Sequence, residues 1–226
     1  EWDAVKPFIK SGKFLDVGCG AGYAMQRAQE DTGSEAFGID PDPMGHGVGR
    51  QGSNFKVKAE NIQKAFAEAI PFNDGMFDTV YSSHVLEHVN DEIKSLQEMS
   101  RVLKNDGVLI IGMPTASMAA INWVTNAMFT THHRFVNFFF SPFINTTKTS
   151  FSELFIPKSH SKEGSTLLFD LKSYKVKRWE QVVSQVFNVQ KIILPALYPY
   201  PEMRQWFGMK KSSKYSSSVF FVCVKK

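Results

Sequence analysis

Phe14-Leu15-Asp16-Val17-Gly18-Cys19-Gly20-Ala21-Gly22 is followed by Ala36-Phe37-Gly38-Ile39-Asp40. An apolar run passes directly into three alternating glycines, and a second apolar run ends on a carboxylate. This is the pattern of two neighbouring parallel strands whose C-terminal ends share one edge of a sheet. Glycine at positions 18 and 20 lets the backbone approach a ligand without a Cβ in the way, and the helix that begins at Gly22 turns its first N–H groups toward the same place. Asp40, at the mouth of the second strand, can accept hydrogen bonds from both hydroxyls of a ribose. The pair reads as a holder for an adenosine-bearing cofactor with an unphosphorylated ribose.

The dinucleotide fingerprint requires its third glycine three residues after the second, and that position is Tyr23. An NAD-dependent oxidoreductase is therefore a weaker reading. The C-terminal half also lacks an evident hydride-transfer constellation.

Outward from this stretch, residues 13–113 alternate strand, helix and strand, as expected of a parallel sheet covered on both faces. The expected strands are Lys13–Val17, Glu35–Ile39, Asp78–Ser82 and Val108–Met113, with a third strand placed somewhere in 57–66. Asp91 to Leu103 sets Ile93, Leu96, Met99, Val102 and Leu103 on one helical face, and Asn105-Asp106-Gly107 turns into the next strand. Gly45, Gly47, Gly49 and Gly52 weaken any helix between the second and third strands. A helix around Arg178 to Val186 and two final strands, Val189–Leu194 and Ser217–Val224, complete the pattern. The connection between those strands carries Tyr198, Tyr200 and Trp206.

A chain of 226 residues suits one domain with a full core. Its net charge of +4 is modest, and the lysines and arginine at 172, 175, 177 and 178 read first as a solvated face. An anionic substrate or a membrane surface is the alternative. Cys19 and Cys223 read as reduced, buried side chains of a cytoplasmic protein rather than a disulfide. The sequence opens on Glu1, so a preceding targeting segment is left open.

Further blocks follow in order: Ala67-Glu68-Ala69-Ile70-Pro71-Phe72 with Met76-Phe77-Asp78, then Ser83-His84-Val85-Leu86-Glu87-His88 leading to Arg101-Val102-Leu103-Lys104-Asn105-Asp106-Gly107. With the glycine loop and Gly38 to Pro41, these make the chain resemble the class I S-adenosylmethionine-dependent methyltransferases, near the quinone-biosynthesis C-methyltransferases and other small-molecule enzymes. The resemblance implies a Rossmann-like α/β fold, a three-layer αβα sandwich on a mostly parallel seven-stranded sheet with an antiparallel C-terminal strand. It also implies S-adenosyl-L-methionine as methyl donor and S-adenosyl-L-homocysteine as product.

Carried over by position, the resemblance sets Gly18, Cys19, Gly20 and Gly22 at the methionine part of the cofactor, with Asp16 orienting its amino group. Asp40 and Pro41 fall at the ribose. Phe66, Ala67 and Glu68 border the adenine, where many members supply an aspartate; an alternative alignment puts Lys58 at that position, with Glu60 nearby. Ser82, Ser83 and His84 would sit beside the sulfonium. His84 is the candidate base if the acceptor is a hydroxyl or an acidic carbon, whereas an amine or thiolate needs none. For Asp78 the preferred reading is a hydrogen bond to backbone, and for His88 a structural histidine.

The whole chain is expected to form one methyltransferase domain, with residues 115–172 as an inserted lid over the acceptor. That acceptor is expected to be a small molecule, anionic, sugar or lipid-like. Nucleic acid is not expected, and peripheral membrane contact is left open. His132, His133 and His160 have no cysteine or carboxylate at a recognisable ligand spacing, so no metal is expected. A non-catalytic cofactor-binding or regulatory module with the same fold is the alternative function.

Overall fold

The computed structural model describes residues 1–43, 57–121, 167–195 and 216–226. Seven strands form one sheet: β1 (Lys13–Val17), β2 (Glu35–Asp40), β3 (Ile62–Lys64), β4 (Phe77–Ser83), β5 (Leu103–Pro114), β6 (Phe187–Ile193) and β7 (Ser218–Lys225). They lie in the order β3-β2-β1-β4-β5-β7-β6. β1 to β5 pair in parallel, and β7 inserts antiparallel between β5 and β6. This is the expected Rossmann-like sheet. Strand order reverses between β1 and β4, and such a reversal opens a crevice at the C-terminal ends of parallel strands.

The central strands are apolar because both of their faces are covered. On one face, α3 (Glu92–Val102) brings Leu96, Met99 and Val102, and α5 (Val176–Val183) brings Trp179 and Val183, onto Leu15, Val17, Ile39 and Ile111. On the other, α1 (Trp2–Val5) and α2 (Tyr23–Thr32) lay Trp2, Val5, Met25 and Ala28 on Phe14, Tyr81 and Phe220. A seven-residue helix, α4 (Leu167–Ser173), precedes α5. Asp91 caps α3 by accepting the Lys94 amide at 2.9 Å, as its place before the apolar periodicity suggests.

Two details extend the reading of the sequence. β5 begins at Leu103 rather than Val108, because Leu103 pairs with Phe77 before a register shift leads to the Val108–Thr79 pair. The Asn105-Asp106-Gly107 turn is thus a bulge inside the strand. Helix α5 starts and ends earlier than its apolar spacing suggests, running from Val176 to Val183, with Val186 in the turn that follows.

Arg101 fastens the loop that carries the third sequence block. Its guanidinium donates to the carbonyls of Ile70 and Phe72 at 2.7 and 2.8 Å and to Glu98 and Asp74. Glu98 in turn accepts the Ile70 amide at 2.9 Å. At the opposite end of the sheet Asp78 accepts the Lys13 amide and the Lys104 ammonium; it bonds backbone as expected, but backbone 65 residues away on β1 rather than its own turn, with an added ion pair. Most of 115–172, the histidines at 132, 133 and 160, and the aromatic connection at 198, 200 and 206 lie outside the described residues.

Candidate active site

The crevice is built first from main chain. The amides of Gly18 and Cys19 both donate to the Ile39 carbonyl, at 2.8 and 3.0 Å, so the loop after β1 is clamped onto the end of β2. The Gly20 amide donates to Asp40 Oδ2 at 2.9 Å, and the Asp42 amide to Asp40 Oδ1 at 2.8 Å. Asp40 is only 7% exposed, and its carboxylate is held in one orientation by two backbone donors. Each oxygen keeps acceptor capacity beyond these bonds. Pro41 follows on the surface.

The glycines serve this geometry in a different way from the one the sequence suggests. Gly18, Gly20 and Gly22 all have positive φ, at 81°, 51° and 89°. A Cβ on Gly18 would meet Val85 Cγ2 at 2.2 Å, and one on Gly22 would meet Val57 Cγ2 at 2.7 Å. The missing side chains at these two positions make room for protein, not only for a ligand. Gly38 does the same beneath the loop, where a Cβ would strike Met25 Sδ and Cys19 Sγ. Cys19 is a buried packing residue whose thiol is pushed up by burial and the neighbouring Asp16 and Asp40.

Asp16 occupies the floor of the crevice. It is 4% exposed, and among the described residues its carboxyl receives no hydrogen bond. Burial, with the charge of Asp40 added, pushes its pKa up to about 8. A neighbouring ammonium would relieve both effects at once.

Residues 65–68 come to the same edge because the Ala65 amide donates to the Asp40 carbonyl at 3.1 Å. Phe66 stands 63% exposed, Ala67 is buried, and Glu68 Oε1 accepts the Asn90 amide at 2.9 Å. Lys58 and Glu60, the alternative adenine candidates, form an exposed pair with each other at 3.7 Å.

At the end of β4 the three candidates separate. Ser82 is fully buried and donates to the Val17 carbonyl at 3.0 Å, so its hydroxyl ties β4 to β1. Ser83 is half-buried at the end of β4. His84 leaves the strand in a left-handed conformation, φ 57°, which is costly for a residue with a Cβ and is found mostly where function requires it. Its amide donates to the Gly112 carbonyl. Its ring reaches Ser218 Oγ through Nε2 at 3.1 Å and Glu87 Oε1 through Nδ1 at 3.5 Å. Burial by itself would lower the imidazole pKa, but the carboxylates of Glu87 and Glu1 outweigh it and raise the value above the ordinary 6.5.

Glu87, Ser218 and Glu1 were not among the candidates read from the sequence. Glu87 was findable, because it lies in the same quoted block three residues beyond His84. Ser218 was not, being 134 residues away. His88, beside Glu87 at 3.9 Å, carries the more exposed side chain of the two histidines, 44% against 28% for His84.

Residues 15–111 match the family model described as a methyltransferase domain. Over this segment, less than half of the chain, the sequence is similar to methyltransferase domains. The ubiquinone/menaquinone biosynthesis C-methyltransferase UbiE of Citrifermentans bemidjiense is 41% identical over 109 residues, covering 45% of this chain and 45% of that protein. The tRNA U34 carboxymethyltransferase of Saccharophagus degradans is 34% identical over 122 residues, covering 49% of this chain and 36% of the relative. The chain thus spans less than half the length of these curated relatives.

Among solved structures, an S-adenosylmethionine dependent methyltransferase from Mesorhizobium loti superposes with a TM-score of 0.58 at 16% identity, covering 100% of this chain and 97% of the other. One from Aquifex aeolicus gives 0.54 at 15% identity, over 98% and 88%. At such identities the likeness concerns the fold. The sheet order and these fold neighbours agree with the expected Rossmann-like architecture.

Proposed function

We propose that the chain transfers a methyl group from S-adenosylmethionine to a small-molecule acceptor that gives up a proton. The observation that carries this reading is the convergence, on one sheet edge, of the undonated Asp16 carboxyl, the fixed Asp40 carboxylate and the left-handed His84. The first two suit the cofactor. Asp16 would accept its ammonium, Asp40 its ribose hydroxyls through the remaining lone pairs, and the exposed face of Phe66 its adenine by stacking. Gly18, Cys19, Gly20 and Gly22 would shape the wall along its methionine part, with Pro41, Ala67, Glu68, Ser82 and Ser83 lining or bracing the rest.

When bound, S-adenosylmethionine supplies an electrophilic methyl group on a positively charged sulfur and departs as S-adenosylhomocysteine. Covalent help from the protein is not needed, and positioning supplies most of the acceleration. His84 is the group we assign to the acceptor's proton. Its Nε2 exchanges the contact with Ser218 for the acceptor's O–H or acidic C–H.

The acceptor class follows from charge. Around this edge the ionisable side chains of the described residues are mainly Asp16, Asp40, Glu68, Glu87 and Glu1. Carboxylates gathered at this edge, Asp16 aside while it is neutral, favour cations over a polyphosphate backbone. A neutral sugar or lipid-like acceptor fits it better than an anionic one. Residues 1–226 would act as a single domain, with 115–172 covering the acceptor. No helix of the described residues is long and apolar enough to cross a membrane.

The test is titration with S-adenosylmethionine, followed by incubation of the protein and methyl-labelled cofactor with a fractionated cell extract. Micromolar binding and label in the small-molecule fraction are expected. Label in the RNA fraction would move the acceptor to nucleic acid, as the names of the tRNA-modifying relatives would suggest. Absence of binding would leave a non-catalytic module.

A further inference from the structure

Glu87 is 3% exposed, and among the described residues neither of its carboxylate oxygens makes a well-aligned hydrogen bond. A charge in that position is strongly disfavoured unless a cation stands beside it. Two imidazoles do. His84 Nδ1 is 3.5 Å from Oε1 and His88 Nε2 is 3.9 Å from the same atom. His84 turns its other nitrogen toward Ser218. There Nε2 meets Ser218 Oγ at 3.1 Å, and because the Ser218 hydroxyl donates to the carboxylate of Glu1, its oxygen accepts from Nε2: the ring held in this way is the imidazolium, and Nε2, facing a neutral hydroxyl, is the nitrogen that gives up its proton first. Glu1 Oε1 itself lies 4.0 Å from Nε2. The ring is therefore suspended between Glu87 on one side and Ser218 with Glu1 on the other, while its backbone is held in a conformation that a side chain rarely adopts.

We propose that Glu87 is a positioning residue for His84: its buried carboxylate keeps Nδ1 protonated, which leaves Nε2 as the nitrogen that takes the acceptor's proton. Its use in catalysis rests on the methyltransferase reading, whereas the pairing of the two side chains does not. A neutral glutamine could fill the same space, so a purely structural role gives no reason for a carboxylate here. The ionised form has a specific effect. It favours the imidazolium, sets the pH at which His84 becomes able to accept a proton, and fixes which nitrogen does so. Glu87 and Glu1 are the carboxylates that face the ring, and Ser218 is its neutral partner.

The experiment is an NMR titration of the ring nitrogens in histidine-labelled protein, wild type, Glu87→Gln and Glu87→Asp, with S-adenosylmethionine binding measured on the same samples. In the wild type the neutral His84 ring carries its proton on Nδ1. Glu87→Gln lowers the His84 pKa by about one unit or more, because the burial that opposes charge remains while its main compensation is lost. Glu87→Asp recovers part of that shift. Cofactor affinity changes less than about twofold in either variant, since Glu87 does not touch the Asp16–Asp40 end.

A wild-type ring protonated on Nε2, or a Glu87→Gln shift below about 0.3 units, overturns the proposal. If Glu87→Gln fails to fold, the wild-type tautomer and the Glu87→Asp titration decide. Failure of the wild type to bind the cofactor would overturn the proposed function and the catalytic use of the pair, whereas the ring titration would still report the pairing. With an acceptor in hand, the acid limb of the rate profile moves to lower pH in Glu87→Gln, which a merely structural substitution would not do.

Discussion

At the β1–β2 end of the crevice, Asp40 is oriented by the amides of Gly20 and Asp42, whereas at the β4–β7 end His84 is oriented by the side chains of Glu87 and Ser218. The first arrangement hangs on backbone and tolerates no rotation. The second hangs on rotatable groups, one three residues along the chain and one 134 residues away. Main-chain donors suit a ligand portion that is always the same, namely the nucleoside and amino-acid parts of a cofactor. A side-chain network suits the end where a proton must move, because its members can change partner and charge.

The largest effect is expected where the backbone end is cut. Asp40→Ala leaves the buried Gly20 amide without its acceptor and removes the proposed ribose partner, and cofactor affinity falls by about 100-fold or more, checked by calorimetry. Loss of less than about fivefold would mean that the two ends are not divided in this way.

Asp16→Asn tests the same end more gently. Asp16 has a raised pKa, so the folded protein favours its neutral form. Without cofactor, wild-type stability falls as pH rises from the ordinary value of 3.8 toward about 8 and is level above that. The asparagine variant escapes this loss and is more stable than wild type by about 2 kcal/mol at pH 8, with no gain at pH 4, as urea unfolding would show. Its affinity for S-adenosylmethionine drops about tenfold at pH 8, and the rise of wild-type affinity between about pH 6 and 8 is lost.

The smallest effect on cofactor binding comes from the other end. Ser218→Ala removes the Nε2 partner, costs about 1 kcal/mol of stability, and leaves cofactor affinity within about twofold. A larger change in affinity would join the two ends into one network.

The two ends also differ in how far they could be read in advance. Asp16, Gly18, Gly20 and Asp40 come from strand ends and a turn whose spacing is dictated by local geometry, so residues close in sequence report their own neighbourhood. Residues 57–66 were ambiguous because β3 is only three residues long, Ile62–Lys64, too short to show a period. Ser82 looked like a ligand-facing hydroxyl and instead bonds the Val17 carbonyl, since alternate residues of a strand face opposite ways and the neighbouring strand decides which hydroxyls are consumed. The room made by Gly18 for Val85 was likewise invisible, because the two residues meet only after β1 and β4 pair.

The sequence by itself determined the parallel sheet, the edge on which ligands gather and the carboxylates at the end of β1 and β2, because apolar periodicity, glycine placement and strand-end carboxylates act over a few residues. Only the tertiary structure decided how His84 is held. β7 runs antiparallel beside β5 and sets Ser218 opposite Pro114, and the left-handed turn after β4 swings the His84 ring between that hydroxyl and Glu87. Such a contact spans 134 residues, and its geometry depends on strand order and register rather than on any local preference.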